Sequence, residues 1–289
     1  MDCRRYSMYF TKWQACGNNF IFINGFDDQF TENDFEKIVE KTPVLCDSHF
    51  GIGADGIIFI LPSDKADLKM RIFNNDGSEA EMCGNGIRCF AKWAYQLGII
   101  KTKKMTVETG AGILSPELLD DGNVRVDMGC PRLLPKQIPV TDMGDNPVIN
   151  QKLLVQELNR TFDITCVSMG NPHCVIFGED PEAQAPEHYG PYIETDPHFP
   201  QKTNVEFVKQ LDKNLLRMRV WERGVGVTLA CGTGTCATVV AAILNRKIKD
   251  AADVKLDGGT LHIEWAGKKS DHVFMTGPAE MVFEGNFNL

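Results

Sequence analysis

Short runs in which apolar and polar positions alternate every second residue outnumber helical patterns along this chain, and they set its character. Residues 69–73 and 217–221 alternate basic and apolar side chains as half-buried strands do. Further strands are predicted at 57–61, 105–108, 124–127, 205–208, 261–265 and 273–275, and in the apolar runs 20–23 and 174–177. Three segments carry the helical period instead. Ile87, Phe90, Ala91, Ala94 and Leu97 fall on one helix face that ends at Gly98 as a C-cap. Residues 235–244 are small or apolar all round, which suits a helix enclosed by protein. Around Phe35, Ile38 and Val39 an amphipathic helix begins with Thr31 and Asp34 spaced as a capping box.

The pattern repeats. Segments 68–86 and 216–234 read LKMRIFNNDGSEAEMCGNG and LRMRVWERGVGVTLACGTG, and their shared Leu, Met, Arg, Cys, Gly and Gly align without a gap, Leu68 with Leu216 and Cys83 with Cys231. A weaker echo relates Gly17-Asn18 and the run after it to Gly170-Asn171 and its run. One unit is therefore used twice: a Gly-Asn turn into a strand, later a strand, a loop and Cys-Gly-x-Gly opening a helix. The expected fold class is α/β (α+β), two pseudo-symmetric domains from an internal duplication. The crossover is placed near 128–134, where Gly129, Pro131 and Pro135 punctuate the chain.

Composition removes several classes. The 289 residues are 43% hydrophobic and 24% charged, enough apolar material to offset ordering entropy. A net charge of −9 without a basic run argues against nucleic acid. No stretch approaches the ~20 apolar residues that span a bilayer, and the start lacks the apolar core of a signal peptide, so no membrane partner and a cytoplasmic location are expected. The ten cysteines include no C-x-x-C pair and the histidines no ligand spacing, so no metal is expected. Gly51-Ile52-Gly53-Ala54-Asp55-Gly56 fits G-x-G-x-x-G, but a strand follows it rather than a helix, which argues against a dinucleotide.

Cysteine at the start of a helix sits among unpaired N–H groups at the positive end of the dipole, and both favour the thiolate. The following glycines let backbone N–H groups approach a carboxylate. Cys3, Cys46, Cys89, Cys130, Cys166 and Cys236 read as small buried hydrophobes. Cys83 and Cys231 differ because the repeat relates them. Two halves packed face to face would aim these thiols at one ligand, one removing an α-proton and the other returning it on the opposite face. Helix ends that lower the thiol pKa would let the two exchange roles near neutral pH. A thiol–disulfide redox protein is the alternative from another class, although redox motifs place both sulfurs in one C-x-x-C.

These residues resemble the diaminopimelate epimerase family. Residues 74–89, Asn-Asn-Asp-Gly-Ser-Glu-Ala-Glu-Met-Cys-Gly-Asn-Gly-Ile-Arg-Cys, are similar to its first signature, and Trp221 to Gly226 with Ala230 to Gly234 to its second. Gly17-Asn18, residues 49–55, Gly170 to His173, Asn204 to Phe207 and Thr276 to Ala279 extend the resemblance over nearly the whole chain. It implies cofactor-independent interconversion of LL- and meso-diaminopimelate in lysine and peptidoglycan precursor synthesis, by a homodimer. The implied fold wraps a mostly antiparallel sheet or barrel round a central helix in each half, with 1–128 plus 277–289 as one domain and 129–276 as the other.

Carried over residue by residue, Cys83 and Cys231 are the acid/base pair, assisted by His173 and Glu222. Gly84, Asn85, Gly232 and Thr233 bind the reacting α-carboxylate. Asn18, Asn74, Asn171, Asn204, Glu222 and Arg223 hold the amino and carboxylate groups, Arg223 clamping the far carboxylate. The chain departs from the family in Gln14-Ala15-Cys16, in Gly56 where Gln is usual and in Val227 where Glu is common. A racemase of another amino acid on the same scaffold is the nearer alternative.

Overall fold

The computed structural model describes residues 7–289. The chain divides into two compact units, one of residues up to Val126 with Gly277–Leu289, the other Asp127–Thr276. The first begins with β1 (Ser7–Ala15), β2 (Asn18–Asn24), α1 (Glu32–Cys46), β3 (Gly56–Leu61) and β4 (Leu68–Asn74). It continues with β5 (Glu79–Ala80), α2 (Gly84–Gln96), β6 (Val107–Thr109), β7 (Gly112–Leu114) and a hairpin of β8 (Glu117–Leu118) and β9 (Val124–Asp127). The second holds β10 (Gln151–Val155), β11 (Arg160–Ser168), β12 (Pro172–Phe177), α3 (Ala185–Glu194), β13 (Asn204–Asp212) and β14 (Leu215–Glu222). After them come β15 (Gly226–Thr228), α4 (Gly232–Leu244), β16 (Ala251–Lys255), β17 (Thr260–Glu264) and β18 (Phe274–Gly277). Finally β19 (Glu280–Asn288) returns to the first unit and pairs with β1.

Strand order follows one plan twice. The first sheet runs β19-β1-β2-β3-β4-β6-β7 with β5 beside β4, and the second repeats that order as β10-β11-β12-β13-β14-β16-β17 with β15 beside β14, then continues past β17 into β18. Both sheets are mixed: β2/β3 and β4/β6 are parallel in one, β12/β13 and β14/β16 in the other. Register makes the repeat residue-specific, since Phe20 pairs with Gly56 as His173 pairs with Asn204. Counting on along β3 and β13, Ile58 takes the place of Glu206.

β3 reads as a continuous apolar run because both of its faces are covered. Ile57 and Phe59 join the core under α1 with Phe35 and Ile38. On the other face α2 packs, Trp93 meeting the Phe22 ring edge-on at 5.4 Å. The capping box of α1 forms as expected, Thr31 Oγ1 accepting from Asp34 N. Helix α2 ends at Gln96, so Leu97 is exposed rather than on the buried face, and Gly98 turns the chain away at φ +70°. In α4, Thr235 to Ala242 are all buried, packed on β11 to β14, β16 and β17. Strand β6 begins at Val107 rather than 105, because Met105 already bonds back to Pro116. Among the described residues no helix is long and apolar enough to cross a membrane.

Candidate active site

In the first unit a two-residue turn with Cys16 at φ 53° and Gly17 at φ 82° joins β1 to β2 and sets Asn18 at the start of β2. Its Nδ2 donates to Asp55 Oδ2 at 2.9 Å, which leaves Oδ1 for the helix start. Cys83 is the N-cap of α2, in extended conformation (φ −137°, ψ 119°), and its Sγ accepts from Gly86 N at 3.4 Å. The Cys83 thiol donates to Asn18 Oδ1 at 3.5 Å, and Asn85 Nδ2 reaches the same oxygen at 3.5 Å. Asn85 is held from behind by the fully buried Arg88, whose Nη2 donates to its Oδ1 at 2.8 Å. The N–H groups of Gly84 and Asn85 head the helix with no intrahelical carbonyl to meet.

The second unit repeats that backbone. Cys231 caps α4 (φ −122°, ψ 111°), Gly234 N donating to its Sγ at 3.4 Å. A Cβ on Gly234 would lie 2.6 Å from Glu206 Oε1, and one on Gly86 2.7 Å from Ile58 Cδ1, so a side chain at either place would have to push the residue beneath it aside. Thr233 Oγ1 is 3.6 Å from Cys231 Sγ and accepts from Asn171 Nδ2 at 3.2 Å. His173 is buried, its Nε2 2.9 Å from Asn171 Oδ1 and its Nδ1 2.7 Å from Glu206 Oε1. Glu222 accepts from Thr228 Oγ1. Asn204 is a structural bridge, donating to Pro172 O at 2.8 Å and accepting from Arg223 N at 2.9 Å. Arg223 is exposed in the turn between β14 and β15, with Nη1 on Gln201 O at 3.1 Å.

Burial pushes the Cys231 thiol well up, and the Glu222 and Glu206 carboxyls add to it against hydrogen bonds from Thr233 and Gly234. The helix end, expected to lower this thiol, is outweighed by desolvation and two neighbouring acids. Glu222 is itself raised above the usual carboxylate range, first by burial.

Within its own unit each predicted cluster assembles: Asn18, Cys83, Gly84 and Asn85 in one, Asn171, His173, Glu222, Cys231, Gly232 and Thr233 in the other. Asn74 joins less directly. Its Nδ2 serves Ser78 Oγ at 3.0 Å in the β4–β5 turn, and its link to the cluster runs through Asn75 N and Asp55 O. Gly56 sits where a Cβ would meet Phe73 O at 2.4 Å, so a larger residue there must move β4. Sequence reasoning missed the holders behind the site: Asp55, Arg88, Glu206 and Glu194. Buried Glu194 accepts from Trp221 Nε1 and Gly224 N and so fixes the turn that carries Arg223. Cys46, Cys89, Cys166 and Cys236 are buried as expected, and burial pushes Cys46 and Cys89 up to about 12. Cys130 corrects that reading, being exposed and donating to Ser270 O at 3.4 Å, while Cys3 lies outside the described residues.

The profile of the family described as Diaminopimelate epimerase matches residues 10–134 and 165–282. Diaminopimelate epimerase 1 of Nostoc sp. is 50% identical over 280 residues, covering 96% of this chain and 98% of its own. Diaminopimelate epimerase of Pelotomaculum thermopropionicum is 49% identical over 284 residues, covering 97% and 99%. Among solved structures, a hydroxyproline epimerase from Agrobacterium vitis shares the fold at TM-score 0.68 and 14% identity, covering 100% of this chain and 94% of its own. A Bacillus anthracis protein of the PhzF family does so at TM-score 0.66 and 17% identity, covering 98% and 100%.

Proposed function

The chain belongs to the diaminopimelate epimerase family, and from that premise we propose that it interconverts LL- and meso-2,6-diaminopimelate through the thiols of Cys83 and Cys231, without a cofactor. One sulfur, as thiolate, takes the α-proton and becomes a thiol. The other, as thiol, gives its proton to the opposite face of the carbon and becomes a thiolate, so the enzyme's proton count is unchanged and its two thiols have exchanged roles. The observation that carries this reading is the matched pair of caps: both cysteines precede their helix in extended conformation, each accepting a glycine N–H at 3.4 Å. A substrate α-carboxylate is held by the N–H groups of Gly84 and Asn85 and of Gly232 and Thr233, which stabilise the charge that develops as the proton leaves. Glu222, hydrogen-bonded by Cys231, is the acceptor to which that thiol yields its proton on activation. Asn18, Asn74, Asn171 and Asn204 orient the amino and carboxylate groups, and Arg223 pairs with the distal carboxylate in bidentate fashion. A homodimeric cytoplasmic enzyme of lysine and peptidoglycan precursor synthesis is the setting this activity implies.

Incubating the reduced protein with LL-diaminopimelate in deuterated water tests the reading. The expected outcome is approach to the meso/LL equilibrium with solvent deuterium at the inverted α-carbon. Absence of both epimerisation and exchange with this substrate would reject it and turn attention to other amino acids.

A further inference from the structure

Glu206 has no part in the chemistry above, yet it is fully enclosed. Its side chain is 0% exposed, as is that of His173 2.7 Å away. Among the described residues its second oxygen, Oε2, lies buried with no hydrogen-bond partner. The first unit has Phe20 and Ile58 at the positions of His173 and Glu206, under a helix start of the same backbone. Packing by itself therefore does not call for an acid here.

The far ring nitrogen of His173 shows what the acid does. Nε2 faces Asn171 Oδ1, which only accepts, so Nε2 carries a proton. A neutral ring protonated there needs a donor at Nδ1, and a charged ring needs an acceptor. A carboxyl group meets either need, protonated in the first case and ionised in the second. Burial raises the Glu206 carboxyl, in keeping with the first. In both cases the pair holds two protons and presents N–H to Asn171. With Oδ1 thus occupied, the Asn171 amide turns Nδ2 to Thr233 Oγ1, whose own hydrogen is left for the Cys231 sulfur.

We propose that Glu206 is a positioning residue: acting through His173 and Asn171, it orients the Thr233 hydroxyl so that it donates to Cys231 Sγ, a bond that favours the thiolate and offsets the direct effect of the nearby acids. The inference rests on the reading of Cys231 as a proton-transferring thiol. It assigns the buried pair to building a one-way chain of donors, with no contact between Glu206 and substrate.

Two variants test it, each followed by epimerisation kinetics and by 15N NMR of the His173 ring. Glu206→Ile installs the side chain that the first unit carries at this place. It should lower kcat/KM roughly 10–100-fold, taking as a guide the loss seen when hydrogen-bond partners that orient metal-binding histidines are removed, and the Nε2–H form of His173 should no longer dominate. Glu206→Gln, whose amide can donate to Nδ1, should keep the Nε2–H form and restore most of the rate. Wild-type kcat/KM in Glu206→Ile, or a rate loss with an unchanged His173 spectrum, would overturn the proposal. If Glu206→Ile does not fold, Glu206→Gln decides: a wild-type rate with the proton moved to Nδ1 overturns it, and the Nε2–H form with most of the rate supports it. Cys231→Ala separates the two readings, since activity surviving that change removes the premise about the thiol, while the His173 spectrum still reports what Glu206 holds.

Discussion

The helix starts at Gly84 and Gly232 share a backbone and differ in what lies beneath and beside them. Under α2 the floor is Ile58, under α4 it is Glu206 bonded to His173. The asparagines at the Gly-Asn turns differ accordingly. Asn18 is gripped by its NH2 group, on the exposed Asp55, and shows its oxygen to Cys83. Asn171 is gripped by its oxygen, on buried His173, and shows its NH2 group toward Thr233 and Cys231. Cys83 is thus offered an acceptor, which suits S–H, while Cys231 meets a chain of donors that favours S⁻ on one side and, on the other, burial and the Glu222 carboxyl that favour S–H. Duplication supplied the common cap; side chains one layer below it made the two halves chemically unlike.

The largest way to probe that comparison is to remove either sulfur. Cys83→Ala and Cys231→Ala should each cut epimerisation by roughly 10²–10⁴-fold, the contribution of a positioned acid or base. Melting should show only the loss of an N-cap interaction, about 0.5–2 kcal/mol. A variant that keeps wild-type turnover would mean that its half does no proton transfer. Asp55→Ala should act more mildly, lowering kcat/KM roughly threefold, because water can take over a bond at an exposed carboxylate whereas none reaches a buried one. An effect as large as that of Glu206→Ile would show that exposure does not set the difference between the two grips.

The smallest effect is in stability against pH. Glu222 is raised above its ordinary value of 4.5 and Cys231 above 9.0, burial being the first cause for each. A group whose folded pKa is raised favours the folded state fully below its unfolded pKa and loses that contribution as pH climbs through the folded value. Melting temperature should therefore begin to fall above pH 4.5 on account of Glu222, and fall again above pH 9.0 on account of Cys231. Glu222→Gln should flatten the first decline by roughly 2–4 °C, what about 1 kcal/mol amounts to in a unit of this size. A profile unchanged by that substitution would show that the Glu222 carboxyl is not strained by its burial.

Much of this was legible in the residues, for stated reasons. The alternation in 69–73 and 217–221 gave β4 and β14, and the capping box gave the start of α1. The 68/216 repeat located both helix caps, since a turn that needs Cys and two glycines leaves little freedom of sequence. Strands β1 and β19 were not legible, because they pair at the sheet's edge and mix aromatic with polar residues; Met281, Val282 and Phe283 are consecutive and all exposed. Helix α3 hid behind Pro186, Gly190 and Pro191, which read as breakers. The holders behind the site were invisible for another cause. Asp55, Arg88, Glu194 and Glu206 act through residues distant in sequence, and in a string an acid in a strand looks like a solvated face. For Glu206 one sign was present, an acidic residue inside the apolar run Val205-Glu206-Phe207-Val208.

The return of β19 bears on how the chain is made. Its partner β1 precedes all of Asp127–Thr276 in the chain, while β19 is made only after that whole stretch has been synthesised. The second unit is one uninterrupted stretch and can close its sheet while translation continues. The first, which carries Cys83, must wait with β1 unpaired along one side, an open edge that holdase chaperones and like edges on neighbouring nascent chains can both occupy.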